Sequence, residues 1–162
     1  MYAVDLCFVS RYDEAIRQAR QAFAEDPEEQ QAEGALRIAY VGKGMIKEAL
    51  ESQIAVIVKR RRDLELAQVL QRWYGQGKYP EAALAGAELL EARARKGTFV
   101  AAGQVSAFYG MAGLPEKALE WLEKGAEQRD PNVLGARHLA RNYPVLENNP
   151  RFQALLRRIG LP

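Results

Sequence analysis

One motif, a helix opening built around an alanine, occurs four times in this chain and restricts its fold more than any other feature. The clearest copy is Arg11-Tyr12-Asp13-Glu14-Ala15-Ile16, followed by an alanine-rich run and then Glu25-Asp26-Pro27. Its counterparts are Ile46-Lys47-Glu48-Ala49-Leu50, Tyr79-Pro80-Glu81-Ala82-Ala83 and Pro115-Glu116-Lys117-Ala118-Leu119. The shared alanines, Ala15, Ala49, Ala82 and Ala118, lie 34, 33 and 36 residues apart. One helix hairpin cannot bury its apolar face alone, and stacking hairpins at this period does so. The pattern therefore predicts an all-α chain, a solenoid of helix hairpins.

Local signals divide each repeat into two helices. The first pairs a short apolar helix, Tyr2 to Val9, with a helix running to about Glu25, where Pro27 stops it; Ser10 and Asp13 are placed to cap that second helix. Only 14 residues precede Ala15, against about 18 or 19 in the later repeats, so the chain begins part-way through its first hairpin. That opening implies either a start inside a longer protein or a native first helix lacking a turn. The second hairpin pairs about Gln30–Val41 with Lys47–Lys59 around Gly42-Lys43-Gly44, Leu36 and Tyr40 sharing one face. Its run Ile54-Ala55-Val56-Ile57-Val58 has strand propensity. The register set by Ala49 overrides that, because a lone strand has no sheet to join.

The third hairpin, about Leu64–Tyr74 and Pro80–Arg95, repeats Leu66, Val69, Leu70 and Trp73 at helical spacing and turns at Gly75-Gln76-Gly77. The fourth pairs about Phe99–Met111 with Pro115–Gln128. Asp130-Pro131 and Asn149-Pro150 are cap-then-proline signals that open two short helices near 131–141 and 150–159, the last closed by Gly160. The expected organisation is repeats over 1–130 (about 1–29, 30–62, 63–98 and 99–130) and capping helices over 131–162.

These residues resemble the tetratricopeptide repeat. The four alanines match that family's small residue at the close helix crossing, and Ala22, Phe23 and Pro27 match its second helix and terminal proline. Tyr40, Trp73 and Tyr109 match the large residue of the first helix. The early tryptophan and glycine are absent, and Arg61 and Ala94 stand where the terminal proline would be. The resemblance implies a right-handed α-α superhelix of hairpins with a C-terminal helical cap. Phe99-Val100, Ala107-Phe108-Tyr109-Gly110, Glu120 to Lys124 and Asn149 to Pro162 are further similar to the closing segment of bacterial proteins that carry a winged-helix, nucleotide-cyclase or serine/threonine kinase domain ahead of a repeat domain. That likeness implies a regulatory tail ending at Pro162.

The residues for most chemistries are missing. His138 is the only histidine, so a histidine-pair metal site or histidine-assisted nucleophile lacks its parts. Cys7, the only cysteine, reads as a small apolar filler and excludes a disulfide framework. The short glycine turns follow helices and do not form phosphate loops. No catalytic, cofactor or metal site is expected. With 23 basic and 21 acidic residues the net charge is +2, too small to steer the domain to nucleic acid or membrane. The basic run Lys59 to Arg62 reads as a solvated helix end facing a neighbour's acids, and Trp73 and Trp121 as core. A cytoplasmic setting is expected, with a periplasmic one as the alternative if a parent chain carries a transmembrane helix.

The function implied is a scaffold that binds a protein or peptide partner. In the resembled family the first helix of each hairpin lines the concave face. Its non-core positions here are Gln31, Ala35 and Ile38, then Gln68, Gln71 and Tyr74, then Gln104 and Ala107. Gly34, Ala35, Ile38, Ala67 and Gln71 stand at or near the positions of a chaperone-tail carboxylate clamp, so that clamp is absent. The alternative is self-association as a homodimer through Val4, Leu6, Phe8 and Val9, which one neighbouring helix cannot all cover.

Overall fold

The computed structural model describes residues 2–26, 29–131, 133, 136 and 144–161. Among them the regular structure is helical. The helices are α1 (Tyr2–Phe8), α2 (Tyr12–Glu25), α3 (Gln30–Gly42), α4 (Ile46–Val56), α5 (Leu64–Tyr74), α6 (Tyr79–Arg95), α7 (Ala102–Met111), α8 (Pro115–Gln128) and α9 (Pro150–Arg158), with a 3-10 turn at Pro144–Leu146. A π-helical turn, Ile57–Arg61, prolongs α4, so the β-branched run of the second repeat is helical despite its propensity. The chain divides into two compact units, Met1–Leu64 and Glu65–Pro162.

All four marker alanines have no exposed surface. What places them is one turn, used four times. In each, the residue five positions before the alanine has a positive φ: 63° at Ser10, 69° at Gly44, 72° at Gly77 and 77° at Gly113. The following amide then reaches back to the carbonyl nine residues before the alanine. The bonds are Arg11 N to Leu6 O (2.9 Å), Met45 N to Tyr40 O (2.8 Å), Lys78 N to Trp73 O (3.2 Å) and Leu114 N to Tyr109 O (2.9 Å). This six-to-one closure satisfies the orphan carbonyls of the ending helix and reverses the chain within three residues. The alanine amide finally bonds to the residue four before it, at 3.0 Å in all four copies. A buried alanine at this point lets the next helix approach closely.

In the unit Met1–Leu64, α2 packs on α1, and α3 packs on both of them and on α4. The Arg20 guanidinium donates to the Tyr40 hydroxyl at 3.2 Å, tying α2 to α3. Lys43 pairs with Asp13 across the same two helices. Asp13 is therefore not the helix cap expected from sequence. Nor is Ser10, which occupies the left-handed turn position while Arg11 stands at the start of α2 with no side-chain cap.

In the unit Glu65–Pro162, α6 packs on α7, α7 on α8 and α8 on α9. A methyl group on Gly86 would lie 2.8 Å from Leu70 and 3.5 Å from Phe108, so glycine is what allows α6 to approach α5 and α7. Asn149 caps α9, accepting from the amides of Arg151 (2.9 Å) and Phe152 (3.4 Å), as its sequence signal predicts. Gly160, at φ 73°, closes it. Asp130 does something sequence did not suggest: its carboxylate accepts from the Gly103 amide at 2.9 Å, capping α7 from the far end of α8. The helix expected near 131–141, and the stop assigned to Pro27, lie largely outside the described residues.

Candidate functional site

The expected binding positions sort themselves by register. Counting back from the large residue at each turn (Leu6, Tyr40, Trp73, Tyr109), Ala35, Gln68 and Gln104 occupy one position, and Ile38, Gln71 and Ala107 another three residues on. Gln31, Gln68, Gln71 and Ala107 are exposed, while Ile38, Tyr74 and Gln104 are half-buried. On α5 the spacing Gln68, Gln71, Tyr74 sets two amides and a phenol along one helix face. The Tyr74 ring lies 5.3 Å from that of Tyr79, which holds it at the edge of its hairpin.

Ala35 is a correction. It is fully buried and lines no surface. In α3 it belongs to the stripe Ala32, Ala35, Leu36, Ala39, and α1 covers it, the Cys7 thiol donating to the Ala35 carbonyl at 3.5 Å. Leu6 is a second correction. Only 3% exposed, it is core and no part of an open edge. The reason is positional: Leu6 precedes Ala15 by the same nine residues that separate Tyr40, Trp73 and Tyr109 from their alanines. What α1 and the turn after it do expose is Tyr2, Phe8 (45%) and Val9 (63%), with Val4 half-buried.

The remaining sequence candidates have ordinary surroundings. Burial pushes the Cys7 thiol up to about 11, far from the range in which a cysteine becomes a nucleophile. Arg60, in the basic run, pairs with Glu33 of α3 at 3.2 Å. Trp121 is buried and Trp73 half-buried. Among the described residues no group of three or more histidine, cysteine or acidic side chains is arranged to hold a metal. No helix among them is long and apolar enough to cross a membrane. His138 lies outside the described residues.

Sequence reasoning missed one feature. It starts the fourth hairpin at Phe99, but α7 starts at Ala102, and Phe99 stands in the α6–α7 linker 83% exposed. Leaving such a ring in water forgoes roughly 1.5–3 kcal/mol of burial. Beside it opens a cleft of about 440 Å³ walled by the end of α6, the linker and α8. The Lys124 ammonium rests 4.2 Å from the Trp121 ring centre in that wall. The Tyr109 hydroxyl donates to Glu91 across from α7, and burial, reinforced by that carboxylate, raises the phenol well above its ordinary value.

Comparison with protein-family models, with curated proteins and with solved structures returns no match, so the functional reading rests on the chain's own residues.

Proposed function

We propose that this chain is a tetratricopeptide-like interaction scaffold whose hairpins continue as a right-handed superhelix and whose first helices bind a protein or peptide partner. One observation carries this reading: a single turn and a single buried alanine recur four times at fixed spacing. Such a frame repeats the same register positions from hairpin to hairpin, and the one held by Ile38, Gln71 and Ala107 keeps surface in every copy, whereas Ala35 is buried at the position where Gln68 is exposed. A regularly spaced set of exposed side chains suits an extended or helical segment better than a small molecule.

In the unit Glu65–Pro162 the relevant side chains are Gln68, Gln71 and Tyr74 on α5 and Gln104 and Ala107 on α7; in the other unit they are Gln31 and Ile38 on α3. The exposed Gln31, Gln68 and Gln71 amides offer paired donors and acceptors to a backbone, whereas Gln104, whose amide nitrogen is buried, contributes only its remaining surface; Tyr74 offers an apolar face with a polar tip. With few charges, affinity is expected to be on the order of micromolar. The resemblance noted above makes a bacterial signalling or regulatory protein the natural parent. The test is titration of candidate peptides followed by backbone NMR. Shifts on α3, α5 and α7 that disappear when Gln71 and Tyr74 are both changed to alanine support the proposal. Shifts confined to α2, α4, α6 and α8 contradict it.

A second reading, homodimerisation, is favoured by the exposed Tyr2 and Phe8 of α1 and Val9 of the turn after it. A dimer seen by sedimentation that survives Phe8→Asp rules this edge out as its interface.

A further inference from the structure

We propose that the cleft between the end of α6 and α8 is a docking site for a short acidic peptide segment that carries one apolar side chain. It is a different surface from the α5 and α7 stripe above and does not rest on that reading.

The cleft combines an apolar floor with a positive rim. Ala94, Val100 and the edge of Trp121 line it, and Phe99 stands at its mouth with most of its ring in solvent. At about 440 Å³ it holds one or two side chains and part of a backbone, not a folded domain. Phe99 can close over such a segment without any change in the helices, because it belongs to the linker.

The charges set the occupant's sign. Arg95 and Lys124 both line the cleft, and neither pairs with a carboxylate among the described residues. Lys124 is held over the Trp121 ring, which fixes its ammonium at the rim with little freedom left to lose on binding. Glu91 is the acidic residue in the lining, but its carboxylate is engaged by the Tyr109 hydroxyl of α7. Glu120 and Glu127, a turn to either side of Lys124 on α8, are exposed and do not line the cleft. An incoming carboxylate therefore meets two cations, and an incoming ammonium meets two like charges beside an acid already in use.

The test uses the intact, isotope-labelled chain and an acetylated, amidated pentapeptide with a central leucine flanked by two aspartates on each side. The proposal expects saturable NMR shifts at Phe99, Val100, Lys124 and the Trp121 indole N–H. Reversing both cations (Arg95→Glu with Lys124→Glu) should weaken binding by about tenfold or more. It should also make the analogue with lysines in place of the aspartates the tighter ligand. Phe99→Ser should weaken the aspartate peptide about fivefold without changing the preference for acid over base. Lys124→Gln keeps the stem while removing the charge, and should give an intermediate loss, so a folding defect in the reversed variant does not decide the matter. Equal binding of the acidic and basic peptides overturns the proposal. So does an absence of shifts at millimolar peptide. Shifts on Gln68, Gln71 and Tyr74 alone also overturn it, and would assign the peptide to the scaffold surface instead.

Discussion

Changing Ser10 to glycine should stabilise this chain. Ser10 holds φ 63°, the left-handed conformation that glycine supplies at the three equivalent turns. A side chain there crowds the following carbonyl and costs roughly 1–2 kcal/mol. Glycine removes that strain but loses more backbone freedom on folding, about 0.5–1 kcal/mol. The Ser10 hydroxyl is exposed and makes no hydrogen bond among the described residues, so no contact is given up. The net expectation is a gain of about 0.5–1 kcal/mol. Urea denaturation followed by far-ultraviolet circular dichroism should show the midpoint rising with an unchanged slope. The mirror experiment is Gly44→Ala, Gly77→Ala or Gly113→Ala, each losing about 1 kcal/mol. If Ser10→Gly proves neutral or harmful while the three glycine variants all lose stability, the first turn is not equivalent to the others and the reasoning fails.

Three further outcomes follow from the same structure. Ala49→Leu or Ala82→Leu should overpack a fully buried crossing and cost about 1–3 kcal/mol in thermal or chemical melts, while a leucine at exposed Ala107 should cost far less. Cys7 should resist alkylation in the folded state. Because its thiol is raised from 9.0 to about 11, its contribution to stability is complete below pH 9 and is lost as pH rises through 11, a window that Cys7→Ala should remove. Asn149→Ala should destabilise α9 by about 1 kcal/mol, read as faster amide exchange at Arg151 and Phe152.

The hairpin frame was legible because its determinants are local. Alanine at a fixed distance from a turn, glycine in three copies and serine in the first, and from a large residue reads as a buried helix contact, and Ala15, Ala49, Ala82 and Ala118 are all fully buried. The same nine-residue offset was available for Leu6 and would have assigned it to the core; its apolar neighbours on a short helix suggested an edge instead. Ala35 was less accessible. Its register partner Gln68 is exposed, and only the packing of α1 on α3, a long-range contact, turns that position inward.

Ser10 looked like a cap because serine favours caps, yet the turn left it the left-handed residue. Asp130 reached Gly103 across 27 positions, which no spacing rule reveals. The cleft depended on where α7 begins. Propensity allowed a start at Phe99, whereas the Ala101 backbone is extended and delays the first helical residue to Ala102.

The account's central claim is the equivalence of the four turns, and residue-resolved amide hydrogen exchange on the intact chain tests it most directly. The claim predicts slow exchange at Arg11, Met45, Lys78 and Leu114, whose amides close the turns. It predicts the same at Ala15, Ala49, Ala82 and Ala118, whose amides open the second helices. A turn in which both amides exchange as fast as an unstructured chain, while its flanking helices stay protected, would contradict it.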